Sequence, residues 1–223
     1  MFKGVIFDFN GTLYEDTDLQ EEAWRILFRK AVGRDLPPDE FRNCILGLGN
    51  ADILKYMNSL DPDKQYEISI TDEKEEVYRD LCKEHPERIT FLPGVPEMLD
   101  ALKAADIPIA IATASEITNV RFYYKFFHLE RWFRPKHIVY DDRTFPVKPA
   151  PDIYLHAAAR LGLNPSCCVV CEDSANGIRS AVAAGAGRII ARRSDPGSSL
   201  YDDPKIYAVI DDFYGFYPKY LED

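Results

Sequence analysis

The sequence predicts a Rossmann-like α/β core, a parallel sheet with helices on both faces, interrupted by a small all-helical insertion. Three observations lead there. A short apolar run, Val5-Ile6-Phe7, stops abruptly at a carboxylate in Val5-Ile6-Phe7-Asp8-Phe9-Asn10-Gly11-Thr12-Leu13, as a buried strand does at its end. From Leu92 onward, strand-like and helix-like segments alternate, the signature of parallel strands joined by crossover helices. Between them, from about 15 to 88, the pattern is helical and rich in charge. The strand over 2–8 needs neighbours that only the later segment supplies, so 15–88 is read as an insertion between two parts of one core, 1–14 and 89–223.

At 223 residues the chain holds one large domain or a domain with a sizeable insertion. With 46% apolar residues it can build a full core. No apolar run approaches the roughly 18 residues of a membrane span, and no basic-then-apolar leader precedes the first strand, so a cytoplasmic protein is expected. Five cysteines, two of them adjacent at 167 and 168, fit reduced thiols better than a disulfide framework. A net charge of −10 argues against a nucleic-acid footprint. It does not exclude a small anionic substrate, because one metal ion and one lysine can reverse the sign of a pocket.

Each element has its own signal. Asn10-Gly11 forces a sharp turn after the first strand, since both residues tolerate positive φ; taken alone it also fits a β-hairpin. Thr17-Asp18-Leu19-Gln20 has capping-box form with Thr17 at the N-cap, and the helix it opens stops at Gly33. Pro37-Pro38 punctuates the chain, and Asp39-Glu40 begins a second short helix, ended by Gly47-Leu48-Gly49. Asn50 caps a third carrying Ile53, Leu54, Met57 and Leu60. Thr71, followed by acids, opens a fourth that His85-Pro86 ends. In the core, Leu92-Pro93-Gly94-Val95-Pro96 introduces a helix through Leu102. Strands are expected over 107–112, 138–140, 167–171, 188–191 and 207–210, and helices over 116–127, 151–161 and 176–184.

Four places carry chemistry. Asp8 lies at the carboxyl end of a strand, where open α/β sheets bind ligands, and can be a nucleophile, a metal ligand or both. Thr113 puts a hydroxyl at a strand end before a helix N-terminus, which favours phosphate, or it simply caps that helix. Lys148, between prolines in Pro146-Val147-Lys148-Pro149-Ala150-Pro151, is a point charge suited to a phosphoryl oxygen, or a solvated loop cation. Glu172-Asp173 supplies hard oxygen ligands of the kind Mg²⁺ prefers, or an acidic cap for the next helix. Cys168 and Cys171 fall on opposite faces of a strand and read as buried small hydrophobes rather than metal ligands. The four histidines show no ligand-like or triad-like spacing.

Taken together, Asp8-x-Asn10-Gly11-Thr12, then Thr113, Lys148 and Glu172-Asp173, in that order, resemble the haloacid dehalogenase superfamily of phosphotransferases. Leu92-Pro93-Gly94-Val95 and Ser174-Ala175-Asn176-Gly177-Ile178 extend the resemblance along the chain, and its β-phosphoglucomutase and sugar-phosphatase branch is the most similar. The resemblance implies that 15–88 is a helical cap and that Asp8 forms an aspartyl phosphate. It implies Mg²⁺ on Asp8, the Asn10 carbonyl and Asp173 with Glu172 in support. Thr113, Ala114, Lys148, Asn10 and Gly11 would hold the phosphoryl group. The expected activity is hydrolysis of a small phosphorylated metabolite, a sugar phosphate foremost, by a monomer with no nucleic-acid or membrane partner. Alternatives are a β-phosphoglucomutase and a catalytically weakened phospho-ligand-binding protein. One departure stands out: the family pattern has an acid–base Asp at the position of Asn10, and a carboxamide cannot deliver or take a proton. The mutase branch also presents a basic residue near Asn50, which carries no charge; Lys74 is the nearest substitute.

Overall fold

The computed structural model describes residues 1–46, 48, 50–194 and 197–222. In chain order the elements are β1 (Gly4–Phe7), α1 (Thr17–Ala31), α2 (Pro38–Cys44), α3 (Asn50–Leu60), α4 (Ser69–Glu84), α5 (Val95–Ala104) and β2 (Ile109–Glu116). They continue with α6 (Ile117–Phe126), β3 (Ile138–Asp141), α7 (Asp152–Leu161), β4 (Cys168–Glu172), α8 (Ala175–Ala183), β5 (Arg188–Arg192), β6 (Ala208–Ile210) and the short α9 (Phe216–Lys219). The chain divides into two compact units, one of residues 1–15 with 91–223 and one of residues 16–90.

In the first unit, six strands form one parallel sheet in the order β3-β2-β1-β4-β5-β6 among the described residues. The first strand is therefore central, hydrogen-bonded to β2 on one side and β4 on the other. The Asn10-Gly11 turn closes no hairpin: the N–H of Gly11 donates to the Tyr14 carbonyl at 2.8 Å and that of Leu13 to the Phe9 carbonyl at 2.8 Å. On one face of the sheet Ile6, Ala110, Ala112, Val139, Val170 and Ile189 pack against Ile153, Tyr154, Ala157, Ile178 and Ala181 of α7 and α8. On the other, Phe7 meets Phe133, Phe213 and Phe216. Both faces of β1 are thus dry, and its carboxyl end is left as the place where polar groups can gather.

Among the described residues of the second unit every regular element is helical. Trp24, Leu27, Phe28, Leu36, Phe41, Ile45, Ile53 and Met57 form its core. Three helix starts differ from the expectation: Asn50, expected as a cap, is itself the first helical residue of α3, and two others follow. Thr17 is the first helical residue and Asp16 precedes it; the carboxylate of Asp16 accepts from Gln20 at 2.8 Å and from the Tyr78 hydroxyl at 2.8 Å. A buried acid already claimed by a tyrosine sets the helix start here, not a reciprocal cap. The fourth helix opens at Ser69, so Thr71 lies inside it and its hydroxyl donates back to the Ile68 carbonyl at 2.7 Å. Gly33, with φ of 83°, ends α1 as expected. Gly47 and Gly49, the expected stop of α2, lie outside the described residues.

The remaining differences in the core are at strand ends. The second strand runs on to Glu116, because its register against β3 shifts between Ala112 and Glu116. Thr113 is therefore inside the strand rather than just beyond it, as Glu172 is inside β4. No apolar periodicity announced α9, whose four residues are held by aromatic contacts of Phe216. Among the described residues no helix is long and apolar enough to cross a membrane.

Candidate active site

The three acids Asp8, Glu172 and Asp173 come from the ends of adjacent strands, and each offers an oxygen within 4.8 Å of the others. Register explains the meeting: β1 and β4 run side by side with Phe7 opposite Cys171, so the next residues of each emerge together. Asp8 is 7% exposed and Glu172 fully buried, whereas Asp173 is half-buried. Gly11, with φ of 77°, permits this closeness, since a Cβ there would fall on the Asp173 carboxylate. Gly177 does the same for Glu172.

Lys148 is no solvated loop cation. Its side chain is 7% exposed, and Nζ donates to Asp8 Oδ1 at 2.6 Å and to Glu172 Oε1 at 2.5 Å. It also lies 5.2 Å from the ring centre of Tyr154, whose hydroxyl donates to the same Glu172 oxygen at 2.8 Å. The other oxygen of Glu172 accepts the N–H groups of Asp173 and Ser174, at 2.9 and 3.0 Å, and the Ser174 hydroxyl at 3.0 Å. Ser174, not Glu172 or Asp173, is the N-cap of α8, accepting from the Gly177 N–H at 3.1 Å. Asp173 accepts from the Thr12 hydroxyl at 3.3 Å.

This arrangement splits the acids electrostatically. Burial pushes the Asp8 carboxyl up to about 7; Lys148 opposes the rise and Glu172 adds to it. Desolvation, then Glu172 and Asp8, holds Asp173 well above the carboxylate range. Burial would raise Glu172 as well, but Lys148 and the hydrogen bonds from Ser174 and Tyr154 outweigh it and the net shift is downward. Burial alone would lower the Lys148 ammonium; its two carboxylate partners reverse that and raise it. One ammonium shared between two carboxylates is thus insufficient to keep Asp8 fully ionised at neutral pH. Three crowded carboxylates against that one lysine make a donor set that suits a divalent cation, and hard oxygen ligands suit Mg²⁺.

Thr113 and Asn10 form a second chain of contacts. The Asn10 carboxamide donates to the Tyr14 and Tyr123 hydroxyls at 2.6 and 3.0 Å and accepts from the Ser115 hydroxyl at 3.1 Å. Thr113 is 2% exposed and accepts from the Ser115 N–H at 3.1 Å; it does not cap α6, which Glu116 precedes. Ala114, between them, is exposed. Tyr14, Tyr123, Tyr154, Ser115 and Arg192 were not singled out from sequence. The first three carry a polar tip on an aromatic body, and nothing in their spacing separates them from ordinary core residues. Cys168 and Cys171 are buried, and burial pushes both thiols up, Cys168 to about 11.

The sequence profile of the haloacid dehalogenase-like hydrolases matches residues 2–185. The chain belongs to that family. Among its members, a phosphorylated carbohydrates phosphatase of Thermotoga maritima is 30% identical over 191 residues, covering 84% of this chain and 83% of the relative. A solved haloacid dehalogenase hydrolase of family IA, variant 3, from Entamoeba histolytica superposes with a TM-score of 0.88 at 33% identity, over 98% of this chain and 97% of its own. An Asp-to-Asn variant of CbbY from Rhodobacter sphaeroides, solved with xylulose-(1,5)bisphosphate, gives a TM-score of 0.81 at 26% identity over 96% of each chain. The family and fold class expected from the sequence are therefore those found, and the protein is an enzyme of a hydrolase family whose members include phosphatases.

Proposed function

We propose that this enzyme hydrolyses small phosphorylated metabolites, sugar phosphates foremost, through an aspartyl phosphate on Asp8. The observation that carries the proposal is Lys148 bridging Asp8 and Glu172 beside Asp173, all at the carboxyl edge of the central strands. A carboxylate oxygen of Asp8 attacks phosphorus as the bond to the leaving oxygen breaks; water then cleaves the acyl phosphate, releasing inorganic phosphate and restoring Asp8. Lys148 orients Asp8 and, with Thr113 and the backbone of Gly11 and Ala114, offsets the charge spread over the phosphoryl oxygens, where such transfers need stabilisation most. Asp8, Asp173 and the Asn10 carbonyl would hold Mg²⁺ with Glu172 in support. When bound, the ion supplies Lewis-acid neutralisation of phosphoryl charge and keeps Asp8 ionised.

Asn10 neither gives nor takes a proton, so the leaving group departs without side-chain assistance from this position. The names of the Thermotoga relative and the CbbY complex support a sugar-phosphate substrate class. A mutase is less well served: Lys74 is buried inside the unit of residues 16–90, paired with Glu75 at 2.9 Å and hydrogen-bonded to Gln20. We assign the cap role to that unit and a cytoplasmic setting to the enzyme. The test is phosphate release from an aryl phosphate and a panel of sugar phosphates, with and without Mg²⁺, beside Asp8→Asn. Metal-dependent turnover abolished by Asp8→Asn is expected. Turnover indifferent to both would overturn the proposal.

A further inference from the structure

Arg192 ends β5, and its place is unusual for a residue only 8% exposed. The β4–β5 ladder closes with Glu172 opposite Ala191, so Asp173 and Arg192 each follow that last pair by one residue. The positive charge of Arg192 acts on Asp173, opposing the rise of its carboxyl. One Nη of Arg192 donates to Glu15 Oε2 at 2.6 Å. Its Nε–H is buried and has no acceptor among the described residues, although a buried donor left unpaired is costly. The side chain of Glu15 is 39% exposed, so water screens that pair. The acids are thus flanked by two cations of different kinds. Lys148 bridges Asp8 and Glu172; Arg192 bears on Asp173 and keeps its Nε–H unused among the described residues.

We infer that Arg192 is an electrostatic positioning residue that favours the phosphoryl anion and opposes the divalent cation. The inference rests on the metal and phosphate reading given above. A fixed positive charge beside Asp173 attracts an incoming phosphate dianion and repels Mg²⁺ through the same field.

The experiment measures thermal shifts of metal-stripped protein with MgCl₂ alone and with inorganic phosphate alone, for wild type, Arg192→Met and Arg192→Lys. Methionine keeps the bulk and leaves Glu15 to solvent; lysine keeps the charge. In Arg192→Met, Mg²⁺ should bind about three- to tenfold more tightly and phosphate about three- to tenfold more weakly, with Arg192→Lys close to wild type on both. A merely loosened fold would weaken both ligands. Constants that stay unchanged or move together in Arg192→Met overturn the inference. A wild type that Mg²⁺ does not stabilise at all overturns the metal reading and this inference with it.

Discussion

At the scale of single residues, Asp8 makes stability depend on pH in a direction opposite to that of most carboxylates. Its folded-state value, about 7, lies above the ordinary 3.8, so between those values the native state holds a proton that the unfolded chain has lost. Stability conferred by that proton is present below about pH 4 and is lost as the pH rises through 7. The metal-free enzyme should therefore melt at progressively lower temperature from pH 5 to pH 8, by an amount on the order of 3 kcal/mol at most. Asp8→Asn should make the slope shallower without abolishing it, because Asp173 is raised in the same direction, and Mg²⁺ should restore the loss at pH 8 but act little at pH 5. A melting profile with the same slope in wild type and Asp8→Asn would show that another group governs it. Asn10 gives a second expectation. Steady-state kinetics of Asn10→Asp should show kcat/KM rising about 10²-fold or more for sugar phosphates, whose alkoxide needs a proton, and far less for aryl phosphates. Equal gains on both would remove proton transfer from position 10. Asp8, Glu172 and Asp173 were legible in the sequence because they stand where an apolar run stops, and Lys148 because prolines flank it. The tyrosines that fix Asn10 and Glu172 were not, since an aromatic side chain reads as core until its hydroxyl is seen to find a partner.

At the scale of elements, the close approach of strand ends and α8 rests on glycine. Replacing a helical glycine by alanine ordinarily stabilises by about 0.5–1 kcal/mol. At Gly177 the added Cβ would land on the carboxylate of Glu172, a group fully buried and bonded to Lys148 and Tyr154. Overpacking there should dominate, so Gly177→Ala is expected to destabilise by about 1–3 kcal/mol in chemical denaturation and to cut activity as well. A stabilised Gly177→Ala would mean that the carboxylate has room to move. The same segment shows how far periodicity carries. Strand and helix order from Leu92 onward could be read because apolar runs and helical spacing alternate cleanly. Their ends could not: Thr113 lies in β2 where its register against β3 shifts, and Glu172 stays in β4 by pairing with Ala191, features no local pattern reports. Thr17 misled for a related reason, because the partner that decides where α1 begins is Tyr78, 62 residues away.

At the scale of the whole molecule, the sheet and the helical unit have separate cores. The chain leaves and re-enters the sheet unit at one place: Tyr14 bridges to Phe91, and the N–H of Leu92 donates to the Leu13 carbonyl at 2.9 Å. Entry and exit being neighbours, residues 16–90 can be replaced by a short Gly-Ser linker from Glu15 to Phe91 without stretching the core. The acids, Lys148, Thr113, Asn10 and its three hydroxyl partners all belong to the retained part. The shortened protein should therefore fold cooperatively by circular dichroism and still gain melting temperature from Mg²⁺. Its chemistry should change selectively. If residues 16–90 serve as the cap, they shield the aspartyl phosphate from bulk water and hold the sugar. Their removal should then cost about 10²-fold or more in kcat/KM for sugar phosphates and much less for a small aryl phosphate, which needs little beyond the phosphoryl site. Losses of the same size on both substrates, in a protein shown to be folded and Mg²⁺-responsive, would mean that the helical unit supports the phosphoryl site itself rather than the choice of substrate.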